Sequence, residues 1–182
     1  ADFYCGSWLP NWRIALGIDY RNSVSAKSTL GGGALLELSH EIDLAYWLLG
    51  PLNLKYSFLS KSNNLEIDVE DKVLIHAINN YDCNVTLRLN FCTKDESRLI
   101  NIKGLKGSIE YDLNTSKMII TKNNISKEIY DINESKDMKY ISQISHFFDC
   151  IKYNKPPLCS LEDGLKVLKY IKIAKEINSN PL

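Results

Sequence analysis

Apolar residues recur with a helical period between positions 35 and 49. With successive residues set 100° apart, Leu35, Leu38, Ile42, Ala45, Tyr46 and Leu49 fall on one face, the stripe of a helix lying on a core. Ahead of it, Gly31-Gly32-Gly33 lets the backbone pass close to other atoms or take a positive φ, and Gly50-Pro51 stops the helix. The opposite face is only partly polar: Glu37, His40 and Glu41 lie there, surrounded by Leu36, Leu44, Trp47 and Leu48. A helix apolar nearly all round wants cover on both sides, which puts His40 in a partly dry place.

The pattern then changes to strands. Leu52 to Ser60, Val69 to Asn79 and Asn84 to Phe91 follow, and in the last Val85, Leu87, Leu89 and Phe91 alternate with Asn84, Thr86, Arg88 and Asn90. That period of two marks a half-buried strand, and Asn79-Asn80-Tyr81-Asp82 reads as a hairpin turn. Further strands are predicted at Arg98 to Lys103, Ser108 to Leu113, Lys117 to Thr121 and Ser126 to Ile132. Their short connections favour antiparallel neighbours. Phe3 to Cys5 is a short strand before a loop punctuated by Gly, Pro and Asn. At the end, Tyr140, Ile144, Phe147, Phe148 and Ile151 recur at helical spacing until Asn154-Lys155-Pro156-Pro157. A second helix begins near Ser160, where Ser-Leu-Glu-Asp sets an acid three places after a capping hydroxyl, and runs through Leu165, Leu168, Ile171 and Ile177. A block of strands with helices at the edges predicts an α+β fold, a large, mostly antiparallel open sheet with helices packed on one face.

A length of 182 residues suits one domain spanning 1–182, and 45% apolar with 24% charged residues is ordinary for a globular chain. With 22 basic and 22 acidic residues, no overall field draws nucleic acid or an anionic membrane. No apolar run approaches the roughly 20 residues that span a bilayer. Five cysteines, none spaced Cys-x-x-Cys, point to a reducing, cytoplasmic setting. The chain opens on Ala-Asp-Phe-Tyr-Cys, apparently within a strand, and so reads as a C-terminal fragment.

Chemistry concentrates at His40. An imidazole with carboxylates within i±3 or i±4 reach can be tuned to pass a proton near neutral pH, while the plainer alternative is a core histidine satisfied by a helix neighbour. Ser39, His40 and Asp43 sit too close on one helix to make a nucleophilic triad. His40, Glu37 and Glu41 have helical spacing for a metal, but His76 and His146 lie on other elements and supply no third ligand, so no metal site is expected. No Gly-x-Gly-x-x-Gly joins a strand to a helix, so no dinucleotide-binding residue is assigned in this chain. Between residues 8 and 21, two Trp, a Tyr and two Arg either face a ligand, as rings stack on sugars and guanidinium forks hold carboxylate or phosphate, or pack to hold their own loop down.

The stretch from Gly31 to Gly50 resembles the signature of the C-terminal domain of the Gfo/Idh/MocA oxidoreductases: a triple glycine, an acidic residue, then a helix carrying His-x-x-Asp. Asp19-Tyr20-Arg21, Gly104-Leu105-Lys106-Gly107-Ser108-Ile109, Phe147-Phe148-Asp149-Cys150-Ile151 and Ser160-Leu161-Glu162-Asp163-Gly164 match in order, so the likeness runs through nearly the whole chain. The resemblance implies a mixed, largely antiparallel sheet forming the substrate wall of an NAD- or NADP-dependent sugar oxidoreductase, one that acts on a nucleotide-linked or surface-polysaccharide sugar. It implies His40 as the group exchanging the hydroxyl proton, Glu37 as the acidic position before it, and Trp12, Arg13, Tyr20, Arg21 and Asp43 around the substrate. Relatives commonly place an Asp four residues ahead of the histidine; here Glu37 stands three ahead. The implied partners are a sugar, an upstream Rossmann domain that holds most of the cofactor, and a further copy of the chain through the sheet. Without that upstream domain the chain is expected to be inactive. A sugar-binding or dimerisation module without catalysis is the alternative.

Overall fold

In a computed structural model, which describes all residues except 13, 124, 133–136 and 180–182, the chain builds one eight-stranded sheet in the order β2-β3-β4-β1-β5-β6-β7-β8. β1 spans Asp2–Trp8, β2 Leu52–Ser60, β3 Lys72–Asn79, β4 Asn84–Asn90, β5 Cys92–Gly104, β6 Gly107–Asp112, β7 Lys117–Lys122 and β8 Ser126–Asp131. All neighbours are antiparallel except β1 and β4, which run parallel, so the sheet is mixed and the fold is α+β. A parallel pair needs a long crossover. Residues 9–83 supply it, with a run of short 3₁₀ turns between Leu9 and Leu30, the first helices, and β2 and β3.

The inward residues of the strands make the core. Phe3, Ile75, Val85, Leu87, Leu89 and Phe91 are buried, the period-two set expected for β4 among them. Against them lie α1 (Ala34–Glu37), α2 (His40–Leu49) and α4 (Leu161–Ser179); α4 packs on β2, and α2 touches β1, β4 and α4. α3 (Met138–Tyr153) has no buried residue. In α4 the buried stripe is Val167, Ile171 and Ala174 rather than the set read from the sequence, in which Leu165 and Leu168 are about half exposed. The predicted cap is present: the Asp163 amide donates to Ser160 Oγ and the Ser160 amide to Asp163 Oδ2.

The helix predicted from 35 to 49 is broken. Leu38 leaves helical geometry, with φ −101° and ψ 21°, and the turn tightens so that the Ser39 amide reaches the Leu36 carbonyl. The two pieces serve different surfaces, since α1 lies over β3 and β4 while α2 reaches β1 and α4. Two of the three glycines explain the entry. A Cβ on Gly32 would strike the Val24 and Ser25 carbonyls, and one on Gly33, whose φ is +112°, would strike the Glu70 carboxylate. That close approach lets Glu70 accept the Ala34 amide on its carbonyl and the Leu35 amide on Oε1, closing the open end of α1.

Candidate functional site

Three elements converge at the start of α2. In the β1–β5 ladder Cys5 stands directly opposite Arg98, so both side chains leave the same face of the sheet. The first turn of α2 lies over them and brings His40 and Glu41. Glu41 is fully buried, and its Oε1 accepts from Arg98 Nε at 2.5 Å and lies 3.2 Å from His40 Nε2. Its Oε2 has no hydrogen-bond partner among the described residues. Cys5 Sγ is 4.0 Å from His40 Nε2, and burial, with the Glu41 carboxylate nearby, pushes the thiol up to about 12. The His40 side chain is 46% exposed, so the ring is rooted in a dry cluster and open on its outer side.

His40 and Arg98 form a shared wall between two concavities. A cavity of about 240 Å³ is lined by Trp12, Glu37, His40, Glu96, Arg98 and Asn114. A larger one of about 780 Å³ is lined by His40, Asp43, Leu44, Trp47, Arg98 and Leu158, among others. The first is ringed by groups that hydrogen-bond a polyol; the second offers apolar flat surface to a ring.

The structure brings some of the expected residues together and not others. His40, Trp12 and Glu37 share the smaller cavity, and Asp43 joins His40 in the larger. Trp12 also packs edge-on against Phe91, with centroids 5.2 Å apart, and donates Nε1–H to Ser7 Oγ, so this ring both holds its loop and faces the cavity. Glu37 does not pair with His40, because the break at Leu38 turns it away; it accepts from Ser25 Oγ at 3.0 Å. Tyr20 and Arg21 line neither cavity. The Tyr20 hydroxyl accepts the Glu66 amide, and Arg21 pairs with Asp19 and Glu66, whose charges hold its guanidinium up and, on the other side, the Asp19 carboxyl down. Arg13 lies outside the described residues.

Sequence reading placed Glu41 on a polar face and gave no role to Cys5 or Arg98. Here the three converge, and Cys5, His40 and Glu41 carry donor atoms all within 4.8 Å of one another. The third donor sought on the other histidines comes instead from a strand 35 residues upstream. No local signal marks it, because only sheet pairing sets Cys5 beside α2.

The site is thus a histidine at the junction of two clefts on an open mixed α+β sheet. The chain belongs to the Gfo/Idh/MocA oxidoreductases: residues 8–180 match the model of the oxidoreductase family's C-terminal alpha/beta domain. Similar solved structures include an oxidoreductase from Agrobacterium radiobacter in complex with NAD+, L-tartaric acid and magnesium (19% identity, TM-score 0.80, 100% of this chain and 54% of that one). A levoglucosan dehydrogenase in complex with NADH is similar as well (15%, TM-score 0.82, 98% and 55%). So is a UDP-N-acetylglucosamine 3-dehydrogenase from Acidithiobacillus ferrooxidans (14%, TM-score 0.74, 97% and 53%). The chain thus spans about half the length of the structures it matches. No curated protein matches it. Among the described residues no helix is long and apolar enough to cross a membrane.

Proposed function

We propose that this domain is the sugar-facing wall of an NAD- or NADP-dependent dehydrogenase and that His40 exchanges the hydroxyl proton of the substrate. The observation that carries the reading is the position of His40, half exposed on the wall common to two clefts. The sugar belongs in the smaller cleft, where Trp12 can stack on a ring face and Glu96, Asn114 and Arg98 can meet hydroxyls. The larger cleft, beside Leu44 and Trp47, offers flat apolar surface to the ring of a cofactor. A pyrophosphate does not fit at Gly32 and Gly33, which are closed by Ser25 and Glu70. A nicotinamide held in the larger cleft would supply the hydride acceptor or donor.

Glu41 sets up the histidine. His40 Nε2 lies 3.2 Å from its buried carboxylate, and that negative charge steadies the imidazolium once a proton arrives. Arg98 compensates the buried charge and keeps Glu41 from turning away. Asp43, one turn along, lies on the cofactor side and serves as a hydrogen-bonding wall.

Two bare surfaces support the implied partners. On α3, Ile141, Ile144, Phe147, Phe148 and Ile151 are each more than half exposed, an apolar face of the kind that wants cover, and the upstream nucleotide-binding half present in relatives is our proposed occupant. On the outer face of the sheet, Tyr56 and Phe58 are about half exposed beside His76 and Leu74, which suits pairing with a second copy. Alone, the domain would be silent in catalysis. The test is a full-length enzyme screened against free and nucleotide-linked sugars by nicotinamide absorbance. His40→Ala should cut turnover about 10²–10⁴-fold. Unchanged turnover would leave His40 a structural residue and the domain a binding or dimerisation module.

A further inference from the structure

We propose that Cys5, His40 and Glu41 form a site for a thiophilic divalent cation of the zinc type, entered from the smaller cavity. One thiol, one imidazole and one carboxylate are the donor types zinc takes. A tetrahedral ion at ordinary zinc bond lengths needs donor-to-donor edges of about 3.4–3.7 Å. The observed Cys5–His40 and His40–Glu41 separations are 4.0 and 3.2 Å, and no pair exceeds 4.8 Å. Closing the set therefore takes shifts on the order of 1 Å in side chains, without moving the strand or the helix.

A second observation points to a ligand. Glu41 is fully buried, yet its Oε2 has no partner among the described residues, and a dry unfilled acceptor is costly. A cation drawn into the cluster would bind this carboxylate, whose Oε1 lies 3.2 Å from His40 Nε2, and draw on its unfilled acceptor capacity. The surroundings favour positive charge: Glu37 and Glu96 line the cavity above the buried Glu41, against the single guanidinium of Arg98 among the lining residues. The half-exposed His40 provides the entry path. As the metal–sulfur bond forms, the Cys5 thiol proton passes to solvent, and the fourth coordination position stays open toward the cavity. Arg98 is the competitor, since it already holds Glu41 Oε1.

The site stands on this geometry alone. Its consequence, loss of the His40 ring nitrogen to the metal and so a silenced proton exchange, rests on the role proposed for His40 above.

The experiment is titration of the chelator-treated chain with Zn²⁺ by calorimetry and with Co²⁺ by absorbance, where a cobalt–thiolate band reports Cys5 directly. One equivalent should bind. Cys5→Ser should abolish the band, and Cys5→Ser and His40→Ala should each weaken Zn²⁺ binding by about 10²-fold, at least the worth of an outer partner. Cys83→Ser, away from the cluster, should change neither. Arg98→Gln removes the competitor and should tighten binding about tenfold or more, with Zn²⁺ raising its Tm further than that of the parent. Circular dichroism confirms that each variant is folded, and Arg98→Gln, as a gain, does not depend on a loss of binding. Absence of binding tighter than millimolar in parent and Arg98→Gln alike overturns the site, as does one-equivalent binding indifferent to Cys5→Ser. Neither result touches the proton role, which fails instead if His40→Ala leaves turnover of the full-length enzyme unchanged.

Discussion

Strands β1 to β4 and the later block of β6 to β8 with α3 belong to one chain and are held together differently. In the first block β3 and β4 alternate buried with more open positions, and the block is roofed by α1, α2 and α4. In the second, β6, β7 and β8 carry no fully buried side chain and neither does α3, and among the described residues no buried hydrophobic side chain falls between Ile100 and Val167. The first block is stabilised by burial from within. The second is a sheet extension bound by its ladders, with apolar surface left for another body. The chemically dense residues sit at the seam, where β1 meets β5, because there a packed core gives rigidity and an open edge gives access.

Core truncations should separate the two blocks most sharply. Phe91→Ala, at a fully buried ring in contact with Trp12, should cost about 3–5 kcal/mol in denaturant unfolding, while Ile129→Ala on the exposed face of β8 should stay within about 0.5 kcal/mol. Comparable losses would mean that the later block carries a core of its own.

Next in size is the seam. Arg98→Ala takes the guanidinium from the buried Glu41 carboxylate and leaves the half-exposed His40 ring beside it, which should destabilise by about 2–4 kcal/mol once the partial exposure of the arginine is allowed for. Glu41→Gln keeps the shape and removes the charge, so its loss should be smaller, about 1–2 kcal/mol. The reverse order would show that the pair does not depend on burial of the carboxylate.

Smallest is a contrast of thiols. Cys5 is buried with its thiol held up to about 12, whereas Cys159 is exposed, so a small alkylating reagent at pH 8 should label Cys159 and leave Cys5 until the chain unfolds. The sign of the linked pH effect follows. As pH rises past the ordinary thiol value of 9.0, the unfolded chain releases a proton that the folded chain keeps to about 12, so native stability declines across that window. Cys5→Ala should lessen the decline seen by the parent in alkaline melts.

Much of this was legible in the residues. Strand positions followed from period-two alternation, and the Ser160–Asp163 cap and the glycine entry to α1 are each written within a few residues, since hydrogen bonds and backbone sterics of that kind act locally. That His40 lies on a helix was readable, but the pattern set it in the middle of one continuous helix, whereas the break at Leu38 makes it the first residue of α2. Less legible was which acid serves it. Helical spacing pointed to Glu37, but the tightened turn at Leu38 sends Glu37 to Ser25 and leaves Glu41 on the ring. The apolar spacing of α3 predicted a helix and the helix is there, but its stripe is bare, because periodicity reports that a face wants cover without saying what covers it.

The sequence by itself determined the elements, their order, the mostly antiparallel pairing and the family, because these rest on patterns that repeat every two to four residues or on motifs kept in line. Only the tertiary structure decided that Cys5, His40, Glu41 and Arg98 share one buried cluster. Cys5 lies 35 residues before His40 and Arg98 lies 57 after Glu41, and what joins them is the register of β1 against β5 beneath α2. Such a meeting depends on long-range pairing and packing, for which no local stretch carries a signal.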